Sequence, residues 1–459
     1  MSVRMSPPSD KAKQRLANFF GVRLRMVALI VVVGLAGGGI GAAYLWALDA
    51  TTDLLGPDRW GGTEHIVVLA SIGLLITVLV SVLGRPADVE LLVGNIHVPG
   101  MTDDERSDAD DDDGATDPRH HHDIEPAGRL RSLIPISLLS VGTGGTLGPE
   151  APLVTTTGTL ATRLARRNGL EPPDVRIIAI TGMAAGFSVL FGAPLGAAVF
   201  ALEIPHRRGL EYYEALIPAT IGALCGFAVS TAFGRLGLEP IWDLPSVAPL
   251  DSVDLAWAVL AGALGAAIGI FFTLVVGVLH RVVEWIPSVS RPIAGGVALG
   301  LLALVTPYAL TNGEFQIEAL IESRPVVTTL LVACVFKVVG AAVALVTGWR
   351  GGFIIPLFFA GFALGWAVTD VLPIEHTWMF VAATMAAANV AVTKTPIGST
   401  LVVTEMAGFA LLPTTLIGSL ASLVLTSQVG LLDSQRQRFD PFGHEHHHDR
   451  GTSATTGDR

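Results

Sequence analysis

From residue 26 to 48 the only ionisable side chain is that of Tyr44, and six more stretches contain no Asp, Glu, Lys or Arg at all: 66–84, 177–202, 215–234, 292–313, 351–369 and 406–432. A helix needs ~20 apolar residues to cross a hydrocarbon core of ~30 Å. These runs therefore predict an all-α polytopic membrane protein of about ten or more spans, because backbone exposed to lipid must satisfy its own hydrogen bonds. Composition agrees: 15% of the 459 residues are charged and mean hydropathy is +0.58, where soluble proteins carry about 25% charged residues. The first run is too long for the apolar segment of a secretory leader, and no clear cleavage site follows it. Ahead of it stand Arg4, Lys11, Lys13, Arg15, Arg23 and Arg25 against Asp10. That bias predicts a cytoplasmic N-terminus in the cell's inner (plasma) membrane.

The net charge of −11 is mostly local, since residues 102–126 hold eleven acids and two arginines. Such a run reads as a solvated loop. The chain divides into a basic tail (1–25), a first membrane repeat (26–235) containing the acidic loop (101–127), a second repeat (236–432), and a polar His-containing tail (433–459) too short for a folded regulatory domain. Cys225 and Cys334 both lie in apolar runs and indicate no disulfide framework.

The two repeats are legible in the spacing. Gly-Met-Ala-Ala at 182–185, Ala193-Pro194-Leu195-Gly196 and Glu203 are echoed by Thr-Met-Ala-Ala at 384–387, Thr395-Pro396-Ile397-Gly398 and Glu405. Met to Pro is eleven residues and Pro to Glu nine in both. Upstream, Gly148-Pro149-Glu150-Ala151-Pro152-Leu153 is echoed by Gly352-Phe353-Ile354-Ile355-Pro356-Leu357. Duplicated halves in a polytopic protein place a transport site between them. Spacing leaves inverted and parallel halves equally possible.

Gly and Pro punctuate these segments at 142–152, 192–196, 351–356 and 396–398. Pro removes a backbone donor and Gly frees the chain, so the helices break at membrane depth, which is tolerated only against protein or a wet cavity. Restarting helices present free N–H groups and positive dipole ends, an anion site without buried cations. The competing reading is ordinary kinks and close packing of small residues. Glu150, a carboxylate inside a membrane segment, would compete with an anion for those donors and leave them on protonation. It is a candidate gate and proton carrier, against the plainer role of an N-terminal cap. Glu203 and Glu405 read as interfacial or structural. Lys337, Lys394 and Arg350 either face the pathway or snorkel. Thr155, Thr156 and Thr157 either line a pore or bond their own helix. The His tracts at 120–122 and 446–448 read as incidental or weak metal binders rather than a built site.

The same residues carry a family resemblance. Gly148-Pro149-Glu150-Ala151-Pro152 resembles the Gly-Arg-Glu-Gly-Pro motif of the CLC chloride channels and transporters, and Gly352-Phe353-Ile354-Ile355-Pro356 resembles their Gly-x-Phe-x-Pro. Gly192 to Gly196 with Phe200 and Glu203, and Lys394 to Gly398 with Glu405-Met406, are similar to two further stretches of that family. The resemblance runs from about residue 90 to 432 and implies a homodimer of inverted-repeat subunits, each with its own anion pathway and no cofactor. It implies that Glu150 is the gating glutamate, and that Gly148, Pro149, Ala151, Gly352, Phe353, Ile354, Ile355 and Pro356 form the pathway, with backbone amides of Ile354 and Ile355 lining it. It also puts the acidic loop on the cytoplasmic side.

Departures from the family pattern mark a divergent prokaryotic branch. Asn95-Ile96-His97-Val98-Pro99 stands where the family has Gly-Ser-Gly-Ile-Pro, so Ile96 replaces an anion-touching serine. The family's late tyrosine has no counterpart; the aligned position is near Asp433. Ile204, next to Glu203, stands where proton-coupled members carry a second glutamate. The function implied is transport of an inorganic anion, chloride first, by a channel or an anion/proton exchanger, with fluoride as the alternative anion. A divalent-metal transporter would need paired ligands within spans, and the clean apolar runs hold none. No nucleophile–base constellation supports an enzyme, and nothing points to nucleic acid.

Overall fold

The computed structural model describes residues 10–87, 129–206, 213–234, 241–242 and 251–428, with side chains from residue 24 onward. Ile96, the acidic loop, the His tracts and Asp433 lie outside the described residues. Within them the chain is a succession of helices. The first half gives α1 (Asp10–Leu55), α2 (Glu64–Leu83), α3 (Leu130–Gly142), α4 (Glu150–Arg167), α5 (Pro172–Phe191), α6 (Pro194–Glu203) and α7 (Leu216–Ala232). The second gives α8 (Ser252–Glu284), α9 (Arg291–Ala303), α10 (Glu314–Ser323), α11 (Val327–Val346), α12 (Ile354–Thr369), α13 (Thr377–Thr393), α14 (Pro396–Ala407) and α15 (Leu412–Leu425).

Six helical segments among the described residues are long and apolar enough to span a bilayer, while α3, α6, α12, α13 and α15 are shorter apolar helices. Several uncharged runs are thus subdivided rather than single spans. Run 177–202 breaks at Gly192, which ends α5 with φ 60°, and restarts as α6 with Pro194 in its first turn. Run 351–369 becomes the 16-residue α12, about 24 Å long at 1.5 Å per residue. It can be short because it begins inside the protein.

The halves pack alike. α5 lies against α4, α6 and α7, with α1 outside it; α13 lies against α12, α14 and α15, with α8 outside it. α5 and α13 are apolar on all faces and buried along almost their whole length, as central helices must be.

Where the halves meet, α6 and α14 run antiparallel and cap one another. Glu203, at the last turn of α6, accepts the N–H groups of Ile397 (3.2 Å) and Gly398 (2.7 Å) at the start of α14. Glu405, near the end of α14, accepts those of Leu195 (3.2 Å) and Gly196 (2.6 Å) at the start of α6. Each carboxylate fills donors that a helix start leaves open. The close approach needs glycine at both matched sites: a Cβ on Gly196 would lie 2.5 Å from the Val402 nitrogen, and one on Gly398 2.6 Å from Phe200 Cα. A contact in which residue i meets j and the counterpart of j meets the counterpart of i is two-fold. Between antiparallel helices the axis is perpendicular to them, which is the relation inverted repeats have when such helices run across the membrane.

Candidate functional site

α4 and α12 both begin in the interior, one from each half. Just before them, Gly148 and Gly352 form an antiparallel bridge: each N–H donates to the other's carbonyl at 2.7 Å. The bridge sets two helix N-termini side by side, with their open donors and positive dipole ends facing one region.

The Glu150 side chain fills that region. It is 0% exposed, and its Oε1 accepts the N–H of Ile355, in the first turn of α12, at 2.9 Å. Among the described residues no hydrogen-bond partner is found for Oε2. A Cβ on Gly148 would sit 1.8 Å from Oε2, and one on Gly352 2.4 Å from Glu150 Cγ. Both glycines are therefore required by the carboxylate that folds back over them, besides any demand of the turn.

Cavities open on either side. The first, of about 300 Å³, is lined by Glu150, Ala151, Thr155, Gly352, Phe353, Ile354 and Ile204, and reaches His280 and Arg350. The second, of about 810 Å³, is lined by Pro149 and Gly142 together with Asp49, Asp53, Asp58 and Glu314. Neighbouring residues of one turn line opposite cavities, so the chain passes between them at Glu150. A buried carboxylate at that constriction occupies the same donors an anion would use.

Residues 120–427 match the family described as voltage gated chloride channel. The chain belongs to that family. A chloride/fluoride channel protein of Pseudomonas syringae pv. tomato is 26% identical over 441 residues, covering 92% of this chain and 88% of that protein. Among solved structures, a CLC-type fluoride/proton antiporter superposes with a TM-score of 0.76 at 21% identity, covering 90% of this chain and 98% of that one. A slow cyanobacterial Cl⁻/H⁺ antiporter gives a TM-score of 0.72 at 17% identity, covering 88% and 94%. The fold is that of the voltage-gated chloride channels, and anion transport is the function this membership carries.

Within the chloride channel fold the remaining candidates separate cleanly. Pro356 is buried inside α12, while Gly148, Gly352, Phe353, Ile354 and Ile355 cluster at its start. Ile204, 4% exposed, is on the wall of the first cavity, whereas Glu203 beside it turns away to cap α14. Thr155 lines the first cavity, but Thr156 and Thr157 bond their own helix, to Pro152 O (2.7 Å) and Leu153 O (3.1 Å).

Neither lysine faces the pathway or snorkels. Lys337, 0% exposed, donates to Leu310 O (2.7 Å), Thr311 O (3.0 Å) and Gln316 Oε1 (2.7 Å), and lies 4.6 Å from the Phe359 ring centroid. Lys394 follows the last residue of α13 and donates to Ala391 O (2.6 Å), Thr426 O (2.7 Å) and Thr426 Oγ1 (3.0 Å). An ammonium taken from water needs such replacement acceptors. The Gly148–Gly352 bridge, His280 and the acids of the second cavity were not among the sequence candidates. Only the bridge left a trace there, as matched glycines 204 positions apart.

Proposed function

We propose that Glu150 gates an anion pathway by occupying the amides that an anion would bind. The observation that carries this is the buried Glu150 Oε1–Ile355 N–H bond, which joins the two halves where two cavities face each other. Protonation removes the charge the amides hold, so the side chain leaves and an anion takes its place. Gly148, Pro149, Ala151, Gly352, Phe353, Ile354 and Pro356 shape the site, and Ile96 stands in the sequence where the family has its serine. The anion is chloride. Ile204 supports channel-like or weakly coupled transport, because among the described residues Glu150 is the one carboxylate lining the first cavity.

The test is chloride efflux from proteoliposomes with external pH recorded, for the wild type and for Glu150→Gln. Chloride efflux without stoichiometric proton movement supports the reading, and no anion movement overturns it.

A fluoride-selective protein is the second reading, favoured by Ile96 in place of serine and by the relative named for chloride and fluoride. Rescue of a fluoride-sensitive strain separates the two.

The first cavity lies on the cytoplasmic face of the plasma membrane. α1 crosses and α2 returns, so the basic start of α1 and Arg85 after α2 share one face, as cytoplasmic positive charge requires. The repeats span 26–235 and 236–432, and the protein is a homodimer in the bilayer. Exposed Leu195, Ile217, Ile397 and Leu420 around the α6–α14 two-fold give it an apolar face for a second copy.

A further inference from the structure

His280 stands on the lining of the first cavity together with Glu150, and it is exposed where Glu150 is fully buried. It lies near the end of α8. Among the described residues the charged and titratable side chains on that lining are Glu150, His280 and Arg350. The helices packed against α8, namely α11, α12, α13 and α15, bring none to it. On α8 itself Arg281 and Glu284 are exposed beside His280. Thr155, just over one turn along α4 from Glu150, shares the lining. Its hydroxyl, unlike those of Thr156 and Thr157, has no protein partner among the described residues, and neither has Glu150 Oε2. Buried polar atoms of this kind are satisfied by ordered water. A cavity of about 300 Å³ has room for several molecules, since one water needs about 10–15 Å³.

We infer that His280 is the proton relay between cytoplasmic water and Glu150, with water held at Thr155 as the link. The inference rests on the proposed Glu150 gate and adds the route by which its proton arrives. Imidazole is the side chain whose ordinary charge change falls between about pH 5 and 8, and its two ring nitrogens let it take a proton at one and give one up at the other. Ile204 carries no proton, so the relay comes from another wall of the cavity, and α8 supplies it. The step conserves protons. Neutral His280 takes one from cytoplasmic water and passes it through the bound waters and the Thr155 hydroxyl, which both donates and accepts. His280 returns to neutral as the Glu150 carboxylate becomes a carboxyl, which releases the Ile355 amide. The proton leaves by the same route when the gate closes, so anion flux carries no stoichiometric proton movement.

The experiment uses inside-out membrane vesicles with the lumen at about pH 9. The bath, which meets the cytoplasmic face, is stepped from about pH 8 to about pH 6, across the range where imidazole gains its charge. Chloride flux in the wild type should rise after the step. In His280→Ala the rise should slow by about 100-fold, the lower end of what a positioned proton-transfer group contributes, and imidazole added to the bath should restore it. Thr155→Val should slow the rise as well. In Glu150→Gln the gate has no proton to receive, so adding His280→Ala should change nothing, and full flux in that double variant certifies that the His280 change leaves the protein folded. Arg281→Gln, an exposed neighbour outside the cavity lining, is the control for a change at that surface. An unslowed rise in His280→Ala or Thr155→Val, a loss that imidazole leaves in place, an equal loss in Arg281→Gln, or a loss that persists in the Glu150→Gln background would overturn the relay. A wild type that moves no chloride, or a Glu150→Gln variant that stops it, would instead overturn the gate reading beneath it.

Discussion

Gly148 and Gly352 exchange two backbone hydrogen bonds of 2.7 Å, and this single bridge places the buried carboxylate at the start of α4 against the amides that start α12. The two glycines belong to opposite halves of the chain, so the site exists only when both halves are folded together.

Gly352→Ala should damage the gate more than the fold. The added methyl would meet Glu150 Cγ at 2.4 Å and Cδ at 2.5 Å, which displaces the carboxylate from the Ile355 amide. Anion flux in the variant should resemble that of Glu150→Ala, with a thermal midpoint near wild type. A variant with wild-type gating would contradict the assigned geometry.

Glu150→Gln keeps the shape and removes the charge. The amides of Ile354 and Ile355 lose their strongest competitor for an anion, so flux should rise and lose its dependence on pH. Stopped chloride flux in a well-folded Gln variant would exclude the gate and leave Glu150 as an obligatory carrier.

Removing the crossed caps should cost stability unequally. Glu203 is 3% exposed and Glu405 only half-buried, so Glu203→Ala leaves the buried Gly398 amide and the partly buried Ile397 amide without their acceptor and should cost about 1–3 kcal/mol, with Glu405→Ala costing less. Because the bonds link the repeats, unfolding in denaturant should also become less cooperative. Equal, negligible losses in both variants would show that water satisfies these helix starts.

Lys337→Met tests the buried ammonium. The substitution keeps most of the volume and leaves Leu310 O, Thr311 O and Gln316 Oε1 without their donor. A loss of about 1–3 kcal/mol follows for leaving the buried Leu310 carbonyl unsatisfied, beside the partly buried Thr311 and Gln316 acceptors, read as a lowered thermal midpoint in detergent. A pathway role would appear instead as altered anion selectivity with unchanged stability.

Membrane class, the duplication, the broken helices and Glu150 are all readable in the chain, because each rests on local chemistry. Uncharged runs must sit within the membrane, Pro and Gly must break helices, and a carboxylate in an apolar membrane segment must have a use. The lysines are illegible there for the complementary reason. Apart from Ala391, three residues before Lys394, their acceptors lie at residues 310–316 and 426, and no spacing rule ties those to Lys337 or Lys394. The threonine triplet is ambiguous because a helix turns about 100° per residue: of three neighbours, one faces the cavity and two bond their own backbone.

By itself the sequence determined that the chain is a duplicated, helix-breaking membrane protein with one intramembrane glutamate in a glycine-rich turn. Only the tertiary structure decided that the halves are inverted, that Glu203 and Glu405 each cap the other half, and that Glu150 bonds Ile355. Those relationships join residues about 200 positions apart, and which donor meets which carboxylate is set by how two antiparallel helices pack, not by the order of residues along either.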